Sequence, residues 1–157
     1  MATEDHLDGR RPDVACALDI QVDGARREAG LAGHAIAALR AATERAGLRE
    51  LVCPLRPPDK AAEPFTPMAD YAARTRADGL PADRWLRAHV RQGARVVKVA
   101  PFAMVVVGTL AQWRSWTGEP FDTQGPLAVP GALAPVLCEP TRDLATYVEP
   151  NVWVRHG

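Results

Sequence analysis

The chain has 157 residues, 47% apolar and 24% charged, a size and balance that suit one globular domain and exclude wholesale disorder. Nineteen basic residues face nineteen acidic ones, so the basic footprint of a nucleic-acid-binding protein is missing at the level of the whole chain. No apolar run approaches the ~20 residues that a membrane span requires, and the polar stretch from Met1 to Pro12 lacks a signal peptide's apolar core.

Residues 1–13, with Asp5, Asp8, Asp13, Arg10 and Arg11, read as a flexible leader to a single domain over 14–157. From Val14 to Val22 the side chains alternate, Cys16, Leu18, Ile20 and Val22 against Ala15, Ala17, Asp19 and Gln21, which predicts a first strand. Leu31, Ala35, Leu39 and Ala42 form one stripe of a helix over Leu31–Ala46, and Gly47 is placed as its C-terminal cap. Glu50 to Leu55 is a second strand, expected parallel to the first through a right-handed crossover. Arg56–Thr66 is Pro-rich and irregular. Helices are predicted over Pro67–Arg76 and Ala82–Gln92, with Gly93 ending the second, and a strand over Arg95–Val99. Thr109 and Gln112 form a capping-box pattern that opens a short helix running to Thr117. Phe121–Pro140 reads as loop. A last strand, Ala145–Arg155, puts Tyr147, Glu149, Asn151 and Trp153 on one face and Val148, Val152 and Val154 on the other, and Pro150 inside it implies an edge or a bulge.

The segment with the clearest chemistry is Arg27-Glu28-Ala29-Gly30-Leu31-Ala32-Gly33, between a strand and a helix. Glycines let a ligand approach the backbone, and amides at a helix start, with the helix dipole behind them, make a phosphate site. The same glycines also suit a tight turn that serves packing alone. Arg27-x-x-Gly30-x-Ala32 in this setting resembles the acyl-CoA-binding motif R/Q-x-x-G-x-G/A of the GNAT superfamily of N-acetyltransferases. The resemblance continues in His89-Val90-Arg91-Gln92-Gly93, where the family often has Tyr-x-x-x-Gly, and in Tyr147 to His156, which looks like the last strand of an actinobacterial GNAT-like group. It covers most of residues 14–157. The chain departs from the family at Glu28 and Ala29, where glycine and a basic residue are usual, and an acid there opposes a pyrophosphate. It also lacks the three strands and two helices that usually precede the strand at Val14.

The resemblance implies an α+β fold with a GNAT-like mixed sheet and flanking helices, resembling the C-terminal half of the family fold. It implies a bacterial, cytoplasmic N-acyltransferase that takes acetyl-CoA or another acyl-CoA as co-substrate, needs no metal, and transfers the acyl group to a small amine by direct attack. Gly30, Leu31, Ala32, Gly33 and Arg27 are expected to hold the pyrophosphate, with Ile20 and Val22 presenting backbone groups to the pantetheine arm. His89 is expected to protonate the leaving thiolate, and Asp19 to take a proton from the amine. Glu149 is a weaker candidate of the same kind. Two alternatives stand beside these roles: His89 as a helix-surface histidine beside Arg87 and Arg91, and Asp19 as part of a solvated strand face. Cys53 reads as core filling, and His6, His34 and His156 have no spacing partner that suggests a metal site. Three widely spaced cysteines point to a reducing compartment. Because the strand at Val14 lacks an obvious neighbour on one edge, a homodimer or a complementing polypeptide is expected, with neither nucleic acid nor membrane as partner. A non-catalytic half-fold that binds acyl-CoA or a partner chain is the competing reading.

Overall fold

The computed structural model describes residues 7–20 and 30–157. Six strands form one mixed sheet: β1 (Val14–Cys16), β2 (Glu50–Leu55), β3 (Arg95–Gly108), β4 (Gly125–Leu127), β5 (Val136–Glu139) and β6 (Leu144–His156). Helices α1 (Leu31–Arg45), α2 (Met68–Ala72), α3 (Arg84–Arg91) and α4 (Leu110–Thr117) flank it, which is the α+β architecture expected from the sequence. β1 and β2 pair in parallel, Val14 opposite Glu50 and Cys16 opposite Val52, with α1 in the crossover between them. The remaining described pairings are antiparallel.

β6 organises the molecule. It pairs with β3 along most of its length, with β5 through its first half and with β2 through its second. Its buried side changes with its partners. Ala145 and Tyr147 enter a core with Trp113, Phe121 and Val136, whereas Val152 and Val154 enter another with Leu51, Cys53 and Leu86. Burial follows the odd positions as far as Asn151 and the even ones from Val152. The uninterrupted alternation expected for this strand is therefore broken at one place. The partner strand gives the reason: the β3 register slips between Ala100 and Met104, opposite Glu149 to Asn151. Two prolines, Pro101 and Pro150, face each other across this bulge, where neither has to donate to the ladder. Of the two readings of Pro150, the bulge is correct and the edge is not.

Several predicted boundaries move. The first strand ends at Cys16 instead of Val22, because the chain leaves β2 there; Val22 itself lies outside the described residues. The helix predicted over Pro67–Arg76 is confined to Met68–Ala72, and Thr75 instead bridges to Pro81. The helix predicted from Ala82 starts at Arg84, since the Asp83 carboxylate caps it by accepting from the amides of Trp85 at 2.8 Å and Leu86 at 2.9 Å. β3 runs nine residues past Val99 to Gly108. The stretch read as loop, Phe121–Pro140, contains β4 and β5.

Candidate active site

β1 and β2 stay together as far as Ala17, whose amide donates to the Val52 carbonyl at 2.9 Å. β2 continues to Leu55 while residues 18–20 leave the sheet, so a cleft of about 910 Å³ opens where the two segments part. Leu18, Asp19 and Ile20 form one wall and Cys53 to Arg56 the other. Trp85 and His89 reach it from α3, the bulge of β3 closes one side, and Glu149, Asn151 and Trp153 come from β6.

His89 is buried at 3% exposure, which overturns its reading as a surface residue. The spacing explains this: Leu86 and His89 lie three apart on the inward face of α3, while Arg84 and Arg91 point outward. His89 Nδ1 lies 3.0 Å from His156 Nε2, a hydrogen bond whose donor depends on the tautomers. Burial, and secondarily the charge of His156, pushes His89 down to about 4, so its ring is neutral at pH 7. Burial also lowers His156, with Arg40 adding to the effect.

Asp19 and Ile20 both line the cleft, as the sequence reading requires, and Asp19 is exposed there. Glu149 is buried and well partnered. Its Oε2 accepts from Arg56 Nε at 2.9 Å and from the Tyr147 hydroxyl at 2.8 Å, and that hydroxyl in turn accepts from the Leu133 amide at 2.9 Å. Burial first, and then the neighbouring Glu149, raises the Tyr147 phenol to about 12 against the Leu133 bond. Asn151 donates from Nδ2 to the Pro54 carbonyl at 3.2 Å and so bridges β6 to the cleft wall. Its Oδ1 is buried without a partner among the described residues, an acceptor available to a ligand amide.

The glycine segment stands apart from this cleft. Gly30 caps α1 in the left-handed conformation at φ 67°, and Leu31, Ala32 and Gly33 form the first turn. None of these four lines the cleft. The Gly33 amide donates to the Gly30 carbonyl at 3.1 Å, which removes it from the expected phosphate cradle. Arg27 lies outside the described residues. The arginines of residues 74–91 are largely occupied in holding the fold: Arg74 is bidentate on Glu63, Arg84 sits 3.1 Å from Asp59, and Arg87 donates to two backbone carbonyls. The Tyr71 hydroxyl donates to Asp83 at 2.8 Å and does not line the cleft.

The sequence reading assigned no role to Asn151, Arg56 or His156. Asn151 and His156 lie on β6, and Arg56 follows β2 far away in sequence; what brings each to the cleft or to His89 is a partner on another element, so no local spacing marks them. Cys53, read as core filling, is buried, and it also reaches the cleft and the two histidines.

No family model matches the chain. The arginine N-acetyltransferase avaD of Aspergillus versicolor is 36% identical over 166 residues, an overlap of 94% of this chain and 57% of the relative. The chain thus spans little more than half the length of that curated relative. The loading GNATL domain of CurA from Lyngbya majuscula matches with a TM-score of 0.52 at 18% identity, over 87% of this chain and 55% of that one. At that identity the likeness shows the fold alone.

Proposed function

We propose that the chain is an acyl-CoA-dependent N-acyltransferase of the GNAT type acting on a small amine, a reading supported by its 36% identity to an arginine N-acetyltransferase and by its GNAT-like fold. The observation that carries the reading is the cleft where β1 and β2 part, which brings Asp19, His89 and Asn151 to one place. The thioester lies in this cleft, its pantetheine arm against the backbone of residues 17–20 and one of its amides donating to Asn151 Oδ1. The phosphates run out to the start of α1, over the amides of Leu31 and Ala32; Val22 and Arg27, also expected to contribute, lie outside the described residues.

An amine that arrives protonated first loses a proton to water through Asp19. It then attacks the thioester carbonyl; the C–N bond forms and the C–S bond breaks. The new nitrogen cation must lose one proton and the departing thiolate must gain one. His89 is neutral before attack, so it relays that proton from nitrogen to sulfur, and a thiolate forming beside it raises its proton affinity. Glu149, held by Arg56 and Tyr147, steadies the cleft wall. Arginine is the first acceptor to test, because the fungal relative is named for it.

We also propose that the outer edge of β1 is completed by a second copy of the chain or by another polypeptide. The three free cysteines fit a cytoplasmic, reducing setting, and no described helix is long and apolar enough to cross a membrane.

The test is release of free thiol from acetyl-CoA in the presence of arginine and other small amines, with acyl-CoA binding followed by calorimetry. Turnover with at least one amine supports the proposal. A second reading, binding without catalysis, is favoured by one observation: the resting His89 is a poor acid at neutral pH. Saturable binding with no turnover on any amine would select it, and no binding at all would remove both. Gly30→Asp locates the phosphates. A Cβ at Gly30 meets nothing within 4 Å, but its φ of +67° strains any side chain, so Gly30→Asn is the uncharged control that isolates the effect of the carboxylate. Acyl-CoA affinity is expected to fall at least tenfold, and unchanged affinity would move the phosphates elsewhere.

A further inference from the structure

We propose that Cys53, His89 and His156 form a binding site for a divalent cation of zinc-like preference, whose occupation would hold His89 as a ligand and withdraw it from the proton relay proposed above. The three residues come from β2, α3 and β6, and all are buried. Each offers one donor atom, and the three donors lie within 4.8 Å of one another. The two ring nitrogens are already 3.0 Å apart. Around tetrahedral zinc, with nitrogen at ~2.0–2.1 Å and sulfur at ~2.3 Å, donors sit roughly 3.3–3.6 Å apart. The two rings need to part by a few tenths of an ångström, and the Cys53 sulfur, within 4.8 Å of them, to close in by up to roughly 1 Å. The donor set of one thiolate and two imidazoles selects a borderline-soft ion over magnesium or calcium.

The trio is poorly explained as core filling. The two rings satisfy each other at one nitrogen apiece, but buried His156 Nδ1 makes no well-formed hydrogen bond among the described residues; its neighbour is the Gln92 carbonyl, which already accepts from Arg40. Two imidazoles and a thiol stand where apolar side chains would pack at no polar cost. Arg40 is the nearby cation that lowers His156; its guanidinium donates to the Gln92 carbonyl at 3.0 Å, and a thiolate at Cys53 offsets its charge at the site. Binding releases the Cys53 thiol proton to solvent. The ring protons then sit on the outer nitrogens, His89 Nε2 and His156 Nδ1. Three protein donors leave a fourth position, and Cys53 and His89 both line the cleft, so water or a ligand in the cleft can fill it.

The experiment is cobalt(II) titration of the chelator-treated chain. The expected result is one equivalent bound, a thiolate-to-cobalt charge-transfer band in the near ultraviolet, the visible bands of a tetrahedral ion, and displacement by zinc. Cys53→Ala removes the charge-transfer band, whereas Cys16→Ala and Cys138→Ala keep it. His156→Gln weakens binding by more than the ~10–100-fold typical of losing an outer partner. A wild-type chain that takes up no cobalt, or shows no thiolate band at one equivalent, overturns the proposal even if the variants fail to fold. So does a band that survives Cys53→Ala. None of these readouts uses acyl transfer, so their failure leaves the proposed function standing.

Discussion

His89 shows how far one side chain's surroundings decide its chemistry. An exposed histidine near its ordinary value of 6.5 would share a proton freely at neutral pH. Burial on the inner face of α3 pushes this one down to about 4, and the resting ring is uncharged. A relay between nitrogen and sulfur suits a neutral ring better than outright donation does. His89→Ala is expected to lower kcat by roughly 10²–10⁴ and to leave acyl-CoA affinity nearly unchanged; steady-state kinetics beside calorimetry separates the two, and full activity would remove the role. The same shift has a consequence for stability. A histidine lowered in the folded state stabilises it above the unfolded value of 6.5, and that stability is lost as the pH falls towards and through about 4. With chelator present, thermal midpoints between pH 7 and pH 4 should therefore fall more steeply for the wild-type chain than for His89→Gln. Equal slopes would mean that His89 is not buried in its neutral form.

At the scale of elements, a lysine ties two irregular segments together. Lys60 lies in the short 3₁₀ turn Pro58–Ala62 and is fully buried. Its ammonium donates to the carbonyls of Glu63 at 2.7 Å, Pro64 at 3.3 Å and Leu133 at 2.8 Å. Three donors on one compact nitrogen match three converging acceptors; the planar fork of arginine does not. That gives a physical reason for one of the two lysines in a chain rich in arginine. Lys60→Met strands three acceptors at ~1–3 kcal/mol each, partly offset by no longer burying a charge, for a net loss of roughly 2–4 kcal/mol. Lys60→Arg should also destabilise. Denaturant midpoints equal to wild type in both variants would show that the network contributes nothing. What was legible from sequence was local. β2 is found over the predicted residues, and the capping box forms as read, with Gln112 N donating to Thr109 Oγ1 at 3.2 Å and Thr109 N to Gln112 Oε1 at 2.9 Å. β3 was truncated because Pro101 reads as a strand end, although here it sits in a bulge where no ladder bond is required. β5 was hidden between prolines. In the site, the spacing to Gly93 led to His89, but its contact with His156 depends on where β6 lies beside α3, and no local pattern encodes that.

For the whole molecule, the question is what lies beside β1. The sheet order runs β1-β2-β6-β5-β4, so among the described residues β1 is a terminal strand, and it is only three residues long. The wall of the cleft continues directly from it through Leu18, Asp19 and Ile20, and Leu18 is 82% exposed. An open strand edge with apolar side chains favours pairing with another chain. The irregular segments that might have covered it are engaged elsewhere: Lys60 joins Pro58–Ala62 to Leu133, and Leu133 packs with Leu86 and Val152. β3 presents a second apolar surface, with Val97 at 54%, Phe102 at 77% and Val105 at 55% exposure, which makes the two edges distinguishable by mutation. Association is expected through β1, because added strands there would also fix residues 17–20 and so complete one wall of the cleft. Sedimentation at micromolar concentration should then show a species larger than the 16.9 kDa chain, or a stable complex with a complementing polypeptide. Val14→Pro, which denies the outer edge a backbone donor and leaves the β2-facing groups of Asp13, Ala15 and Ala17 in place, should shift that species towards the monomer and lower activity together, while Val105→Lys on β3 should do neither. A monodisperse 16.9 kDa monomer with full activity would overturn the expectation, and dissociation by Val105→Lys alone would transfer the interface to β3.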